Sequence, residues 1–223
     1  MRLRKLQTID EPQRPYITLN GNRVLDFSSN DYLGLSQHPV LIEAAQLATA
    51  QYGTGTGGSR LIGGTLDLHT QLEEKLARFK GTEKALVFNS GYQANIGVLS
   101  ALIHRSDHIF ADRLNHASLV DGAILSRATV HRYRHLDMQH LQLLLEKTPS
   151  HAKKWIITDS VFSMDGDLAP LDQLHQLAGQ YEAGLILDEA HATGVFTENK
   201  GFNSTRAWVS RLPGKSIRNM VPC

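Results

Sequence analysis

Asp188 stands directly after Leu185-Ile186-Leu187 and before Glu189-Ala190-His191. Such an apolar run reads as a buried strand, and an ionised carboxylate at its end is costly unless a cation or hydrogen-bond donors meet it. A protonated heterocyclic nitrogen is one such cation, with His191 placed to reach a hydroxyl on the same ring. A buried arginine beside a loop histidine is the alternative, and the residues alone leave both open. Ser90-Gly91-Tyr92 falls between an apolar stretch and a helical one, where free amides and the positive end of the helix dipole suit a phosphate. Gly91 lets backbone come close, and Tyr92 offers a ring face or a hydroxyl; a plain helix start capped by Ser90 is an equal reading. His116, in Asn115-His116-Ala117-Ser118-Leu119, opens a helix after a strand, so its imidazole either stacks on a flat ring or acts as a cap. Ser163 lies in Val161-Phe162-Ser163-Met164-Asp165-Gly166-Asp167; either its hydroxyl meets a ligand or the loop is a turn built on Asp165-Gly166.

The elements that must position these side chains alternate between short apolar runs and helical patterns. Val24 to Phe27, after Asn20-Gly21-Asn22, reads as a hairpin arm, Pro39 to Tyr52 as a helix, and Gly53 to Gly64 as a glycine-rich loop. Leu66, Leu68, Leu72, Leu76 and Phe79 keep helical spacing up to Gly81, which suits a left-handed helix end. Ala85–Phe88, His108–Ala111, Trp155–Thr158 and Leu185–Asp188 read as strands, with helices over Tyr92–Ile103, Ser118–Leu125, Met138–Glu146 and Leu171–Tyr181. Strands so short and apolar suit a mostly parallel sheet flanked by helices, so the class is α/β, with the Asp188 strand central. Such sheets hold ligands at the carboxyl ends of their strands, where the Ser90, Ser163 and Asp188 loops converge.

Composition narrows the partners. The chain has 223 residues, 41% hydrophobic and 20% charged, with a net charge of +1; this is the make-up of a globular protein with no field directed at nucleic acid or an anionic membrane. No apolar run is long enough to span a bilayer, and polar Gln7, Thr8, Asp10 and Glu11 follow Arg2, Arg4 and Lys5 where an export signal needs an apolar stretch. The single Cys223 fits a reducing compartment, so the expected location is the cytoplasm. Asp188-Glu189-Ala190-His191 also matches the metal-binding box of a helicase, but the upstream glycine run Gly53 to Arg60 lacks the lysine of a nucleotide-binding loop, which argues against a nucleic-acid motor. His131 and His135 have zinc spacing; with Arg132, Tyr133 and Arg134 between them and no further ligand following, they read as a strand end or exposed loop, solvated, and no metal is expected.

Together the motifs resemble the α-oxoamine synthases, pyridoxal-phosphate enzymes of the aspartate-aminotransferase fold (fold type I). The resemblance runs from about Phe27 to Gly201, through Phe27-Ser28-Ser29-Asn30-Asp31-Tyr32-Leu33-Gly34-Leu35, Gly57-Gly58-Ser59-Arg60-Leu61-Ile62-Gly63-Gly64-Thr65, Asn115-His116-Ala117-Ser118, Val161-Phe162-Ser163-Met164-Asp165-Gly166 and Asp188-Glu189-Ala190-His191-Ala192-Thr193-Gly194. Ser90 to Asn95 and Gly57-Gly58-Ser59 are most like the biotin-pathway branch, which condenses L-alanine with a pimeloyl thioester, carried on coenzyme A or a carrier protein, and releases the carboxyl group. The branch that joins glycine to acetyl-CoA is the alternative. The resemblance implies pyridoxal 5'-phosphate as cofactor, with Gly91 and Tyr92 at its phosphate end, His116 stacked on its ring, Ser163 and His191 near the ring hydroxyl and Asp188 on the ring nitrogen. It further implies that Arg4, with His116, binds substrate, although Arg2, Arg14 or none of these could be the true equivalent, and that the complete enzyme is a homodimer.

The pattern departs in one place. The resemblance calls for a lysine that holds the cofactor covalently about thirty residues after Asp188, in a Ser/Thr-x-Ser/Gly-Lys context. Lys200 comes too early, Lys215 lacks a preceding apolar strand, and the tail from Phe202 carries Arg206, Arg211, Lys215 and Arg218 without an acidic residue. No catalytic residue is therefore recognised. The expected organisation is an N-terminal segment (1–38), a partial cofactor-binding large domain (39–201) and a divergent tail (202–223), with the fold incomplete at its C-terminus and the small domain missing. The expectation for this chain alone is an inactive, poorly soluble form, or a non-catalytic remnant that binds cofactor or a partner.

Overall fold

The computed structural model describes residues 6–11 and 15–196. The chain divides into two compact units at residues 59 and 60. In the first, β1 (Ile9–Glu11), β2 (Tyr16–Leu19) and β3 (Asn22–Leu25) form an antiparallel sheet in that order. Asn20 and Gly21, both at positive φ (52° and 75°), turn β2 into β3, the primed geometry that matches strand twist. Helix α1 (Pro39–Tyr52) has proline in its first turn and closes on Gly53 at φ 78°, as read from the sequence.

The second unit carries the parallel sheet. Helix α2 (Asp67–Lys80) ends on Gly81, whose φ of 67° lets its N–H reach the carbonyls of Ala77 and Arg78. Then follow α3 (Gly91–Leu102), β4 (His108–Asp112), α4 (Ala117–Ser126), β5 (Thr129–Tyr133), α5 (Met138–Lys147), β6 (Lys154–Asp159), α6 (Leu171–Gln180) and β7 (Gly184–Asp188). The strands lie in the order β5-β4-β6-β7, all parallel. Their side chains alternate between two cores, as strand pleating requires. Phe110, Ile156, Leu185 and Leu187 pack with Leu141 and Leu145 of α5 and Leu174 and Leu177 of α6 on one face. Ile109, Ala111, Trp155, Ile157 and Ile186 pack with Val98 and Leu99 of α3 and Leu119 and Ala123 of α4 on the other. Burying each of these large side chains stabilises the sheet by about 1.5–3 kcal/mol.

The sequence reading needs three corrections. Ala85–Phe88 does not form a strand among the described residues: Leu86 alone takes a bridge position, and the Val87 N–H donates to the Glu73 carboxylate of α2 (3.0 Å). Strand β5 reads from the sequence only as a strand end or loop at His131–His135, and the strand-end alternative holds for His131; its residues run Thr-Val-His-Arg-Tyr with only Tyr133 fully buried, so no apolar run announces the whole strand. Strand β7 is terminal, not central, in the described sheet, and Gly184–Leu187 are nevertheless buried. Arg4, Lys200 and Lys215 lie outside the described residues, as do Arg2, Arg14 and Cys223. No described helix is long and apolar enough to cross a membrane.

Candidate functional site

Three neighbouring strands end in a carboxylate: Asp112 on β4, Asp159 on β6 and Asp188 on β7. Asp159 and Asp188 are register partners. Asp188 Oδ2 accepts from Asn95 Nδ2 (2.7 Å) and Oδ1 from the Ala190 N–H (2.8 Å). Its carbonyl accepts from both the N–H and the hydroxyl of Ser160, each at 2.8 Å. Among the described residues its partners are thus neutral donors and not an arginine, and the negative charge is left to face a cation.

Asn95 is the link that sequence reasoning missed. It is buried on α3, one turn beyond Gly91, and donates to Ser118 Oγ (2.8 Å) as well as to Asp188. Ser118 in turn meets His116 Nδ1 with its hydroxyl (2.7 Å) and its N–H (3.2 Å). An N–H can only donate, so Nδ1 of His116 accepts and a neutral ring carries its proton on Nε2. The His116 N–H itself donates to Asp159 Oδ2 (2.8 Å). Asp188, Asn95, Ser118 and His116 therefore form one chain of hydrogen bonds that fixes both the carboxylate and the exposed imidazole. Gly122 lets α4 lie against α3 closely enough for this: a Cβ there would stand 2.6 Å from Leu99 Cδ1 and 3.2 Å from the Asn95 carbonyl.

Asp159 has its carboxyl pushed up to about 7, first by burial and then by the charges of Asp188 and Asp112, against the lowering effect of the His116 N–H. An acid raised in the folded state favours folding while protonated, so this contribution falls as pH rises from its ordinary 3.8 towards 7. Asp159→Asn keeps an acceptor for His116 and removes the charge. The variant is expected to unfold at higher denaturant than the parent at pH 8, by a stability on the order of 2 kcal/mol, and to match it near pH 4; equal differences at both pH values would refute this.

The other candidates take their places around this network. Ser90 caps α3 and accepts from the Gln93 N–H (3.2 Å), and a Cβ at Gly91 would meet no atom within 4 Å. Tyr92 donates its hydroxyl to Asp121 Oδ2 of α4 (2.6 Å), which raises its titration through the hydrogen bond and the carboxylate's charge. Ser163 sits exposed at the tip of a loop whose ends are joined by a Val161–Leu168 bridge. His191 is half-buried in the turn after β7. That turn is anchored by a pairing the sequence did not announce: Lys80, at the end of α2, is buried against the Glu189 carboxylate and bonds Thr193 Oγ1 (2.8 Å). The structure thus joins Asp188 to His116 through Asn95 and Ser118, and ranges Gly91, Tyr92, Ser163 and His191 on loops that follow the strands or at the start of α3.

His131 and His135 are not solvated as expected. His131 lies on β5, stacked on Phe110 with centroids 4.9 Å apart, and burial, then the neighbouring His108, lowers its titration. His135 bridges two carboxylates. Among the described residues no three His, Cys, Asp or Glu side chains gather as a metal-binding group.

With this geometry in hand, comparison with known proteins is decisive for the family. A model of aminotransferase class I and II matches residues 22–216. The chain belongs to that family. The match extends past Gly201, where the motif resemblance ends. Over 192 residues the chain is 55% identical to 8-amino-7-oxononanoate synthase of Citrifermentans bemidjiense, covering 86% of the chain and 49% of the relative. Among solved structures, a serine palmitoyltransferase from S. paucimobilis with bound PLP superposes with a TM-score of 0.84 at 32% identity, over 87% of this chain and 49% of that one. The 8-amino-7-oxononanoate synthase of Francisella tularensis gives 0.68 at 34% identity, over 81% and 50%. The chain spans about half the length of the relatives it matches. The aspartate-aminotransferase-like α/β fold, with its parallel sheet flanked by helices, is the fold of this family.

Proposed function

We propose that the chain carries the pyridoxal-phosphate pocket of an α-oxoamine synthase that condenses L-alanine with a pimeloyl thioester. The observation that carries this reading is the hydrogen-bonded line from Asp188 through Asn95 and Ser118 to His116. Its two ends have the chemistry that a flat cationic heterocycle needs, a carboxylate with spare charge and an imidazole held by one nitrogen. The chemistry at Gly91 also suits the cofactor: a Cβ there would meet no atom within 4 Å, and the helix dipole at the start of α3 favours a phosphate. When bound, pyridoxal phosphate supplies an electron-poor ring that takes up the electron pair released as bonds to the amino acid's α-carbon break. Asp188 would keep that ring protonated by pairing with its nitrogen. His116 would lie against its face and limit the approach of substrate, Ser163 and His191 would meet its hydroxyl side, and Gly91 and Tyr92 its phosphate. Arg4, outside the described residues, is the proposed partner of the acyl substrate's carboxylate. The choice of alanine and a pimeloyl thioester is supported by the name of the Citrifermentans relative. A cytoplasmic homodimer completes the reading.

Titrating the full chain with pyridoxal phosphate, followed by cofactor absorbance, tests it. Saturable binding that dialysis reverses and borohydride does not fix to protein is the expected result. Absence of binding up to about 1 mM would remove the cofactor from the account.

A further inference from the structure

His135 lies just beyond β5, apart from the Asp188 network, and meets a carboxylate at each ring nitrogen. Nδ1 is 2.9 Å from Asp112 Oδ1, and Nε2 is 3.1 Å from Asp167 Oδ2. Asp112 has a fully buried side chain at the end of β4, whereas Asp167, 45% exposed, closes the loop that bears Ser163. We propose that His135 is a positioning residue: by bridging Asp112 and Asp167 it ties the 161–168 loop to the end of β4 and so sets how well that loop receives pyridoxal phosphate. The cofactor half of the proposal rests on Ser163 being a cofactor contact.

The surrounding geometry converges on this bridge. The loop is closed on itself by Phe162 N–H to the Asp167 carbonyl and Gly166 N–H to the Phe162 carbonyl, both 2.9 Å. Its Phe162 ring stands edge-on to His135 with centroids 4.5 Å apart. Across the bridge, Asp112 also takes the N–H of Leu114 (2.8 Å) and of Leu136 (3.0 Å). Leu136 has φ of 55°, a left-handed conformation that a leucine adopts only when its surroundings impose it. Asp112 therefore holds both His135 and the strained residue after it, and the imidazole passes that fixation on to the loop.

Ionised carboxylates only accept, so the full bridge needs both ring nitrogens to donate, which is the imidazolium form. Burial alone would lower the titration of His135, but the hydrogen bonds and charges of Asp112 and Asp167 outweigh it and hold it above the ordinary 6.5. The other ionisable groups nearby do not cancel this. Tyr133 of β5 is kept neutral by burial and by the charges of Asp112 and Asp159, and Arg134 is paired with Asp137 at the start of α5, where His140 accepts the Arg134 N–H. A group raised in the folded state contributes fully below 6.5 and loses its contribution as pH rises through its folded value. The loop is thus fastened at low pH and released at high pH.

Hydrogen–deuterium exchange of the 161–168 segment in the full chain, divided by intrinsic rates at each pH, reads the bridge without cofactor. Wild-type protection is expected to fall about tenfold as His135 titrates. Asp167→Ala, at an exposed position that leaves the core intact, and His135→Gln are expected to be unprotected at every pH. Protection that ignores both pH and Asp167→Ala would overturn the proposal. In parallel, pyridoxal phosphate affinity should drop about tenfold in both variants; an unchanged affinity with a loosened loop would overturn its cofactor half. If the wild type binds no cofactor at any pH, the proposed function fails, and the exchange data alone decide the bridge.

Discussion

Asp188→Asn is expected to weaken binding of pyridoxal phosphate to the full chain about 100-fold and to leave stability at pH 8 unchanged or higher. The two signs come from one arrangement. Among the described residues the Asp188 carboxylate receives Asn95 Nδ2 and the Ala190 N–H, neutral donors that orient it without neutralising it. Its charge is therefore available to a protonated ring nitrogen, and removing one partner of such a shielded pair costs about 2–5 kcal/mol of binding. Without a ligand the same charge is a burden, because Asp159 faces it across β6 and β7 and is pushed up partly by its field. The asparagine relieves that repulsion. It also lowers the pH at which Asp159 titrates, which a stability profile between pH 4 and 8 resolves. A variant that binds within twofold of the parent would show that Asp188 does not hold the cofactor; a variant that loses affinity only in proportion to lost stability would make it a structural residue.

The outer form of this site was legible in the sequence because it depends on local rules. Gly81 and Ser90 mark helix ends by their own backbone chemistry, and the runs ending at Ala111, Thr158 and Asp188 are apolar because both faces of the sheet are covered. What was not legible depends on residues distant in sequence. Asn95 looks like any polar residue in a helix until α4 brings Ser118 and β7 brings Asp188 to its amide, 23 and 93 positions away. His135 looked solvated because its neighbours are arginines and a tyrosine; its partners, Asp112 and Asp167, lie 23 and 32 residues off in opposite directions. Ala85–Phe88 had the composition of a strand, but among the described residues only Leu86 takes a bridge position, and the Val87 N–H goes to a glutamate on α2. Local pattern placed the strands and helices around the network, and tertiary contact selected which polar groups entered it.

The far end of the β6–β7 ladder tests whether that network depends on strand register. Gly184 pairs with Trp155, and a Cβ on it would fall 2.5 Å and 2.6 Å from indole atoms Cε3 and Cζ3, well inside contact distance. The indole has nowhere to go: it is 1% exposed, donates Nε1–H to buried Asp107 (3.2 Å) and is enclosed by Val98, Leu99, Ile103 and Ile186. Gly184→Ala must therefore push β7 away from β6, at a cost of about 2–3 kcal/mol. The displacement runs along the ladder to its carboxyl end, where Ser160 holds the Asp188 carbonyl, so pyridoxal phosphate affinity should fall with stability. Trp155→Leu opens the space, and by itself costs about 2–4 kcal/mol through the cavity it leaves. Combined, the two substitutions should cost less than their sum by at least about 1 kcal/mol, since each supplies what the other lacks. Chemical denaturation of the parent, both single variants and the double variant measures that coupling. Costs that add within about 0.5 kcal/mol would mean that β7 accommodates the methyl group without moving, and that the position of Asp188 is set by its own loop contacts and not by the packing of glycine on tryptophan.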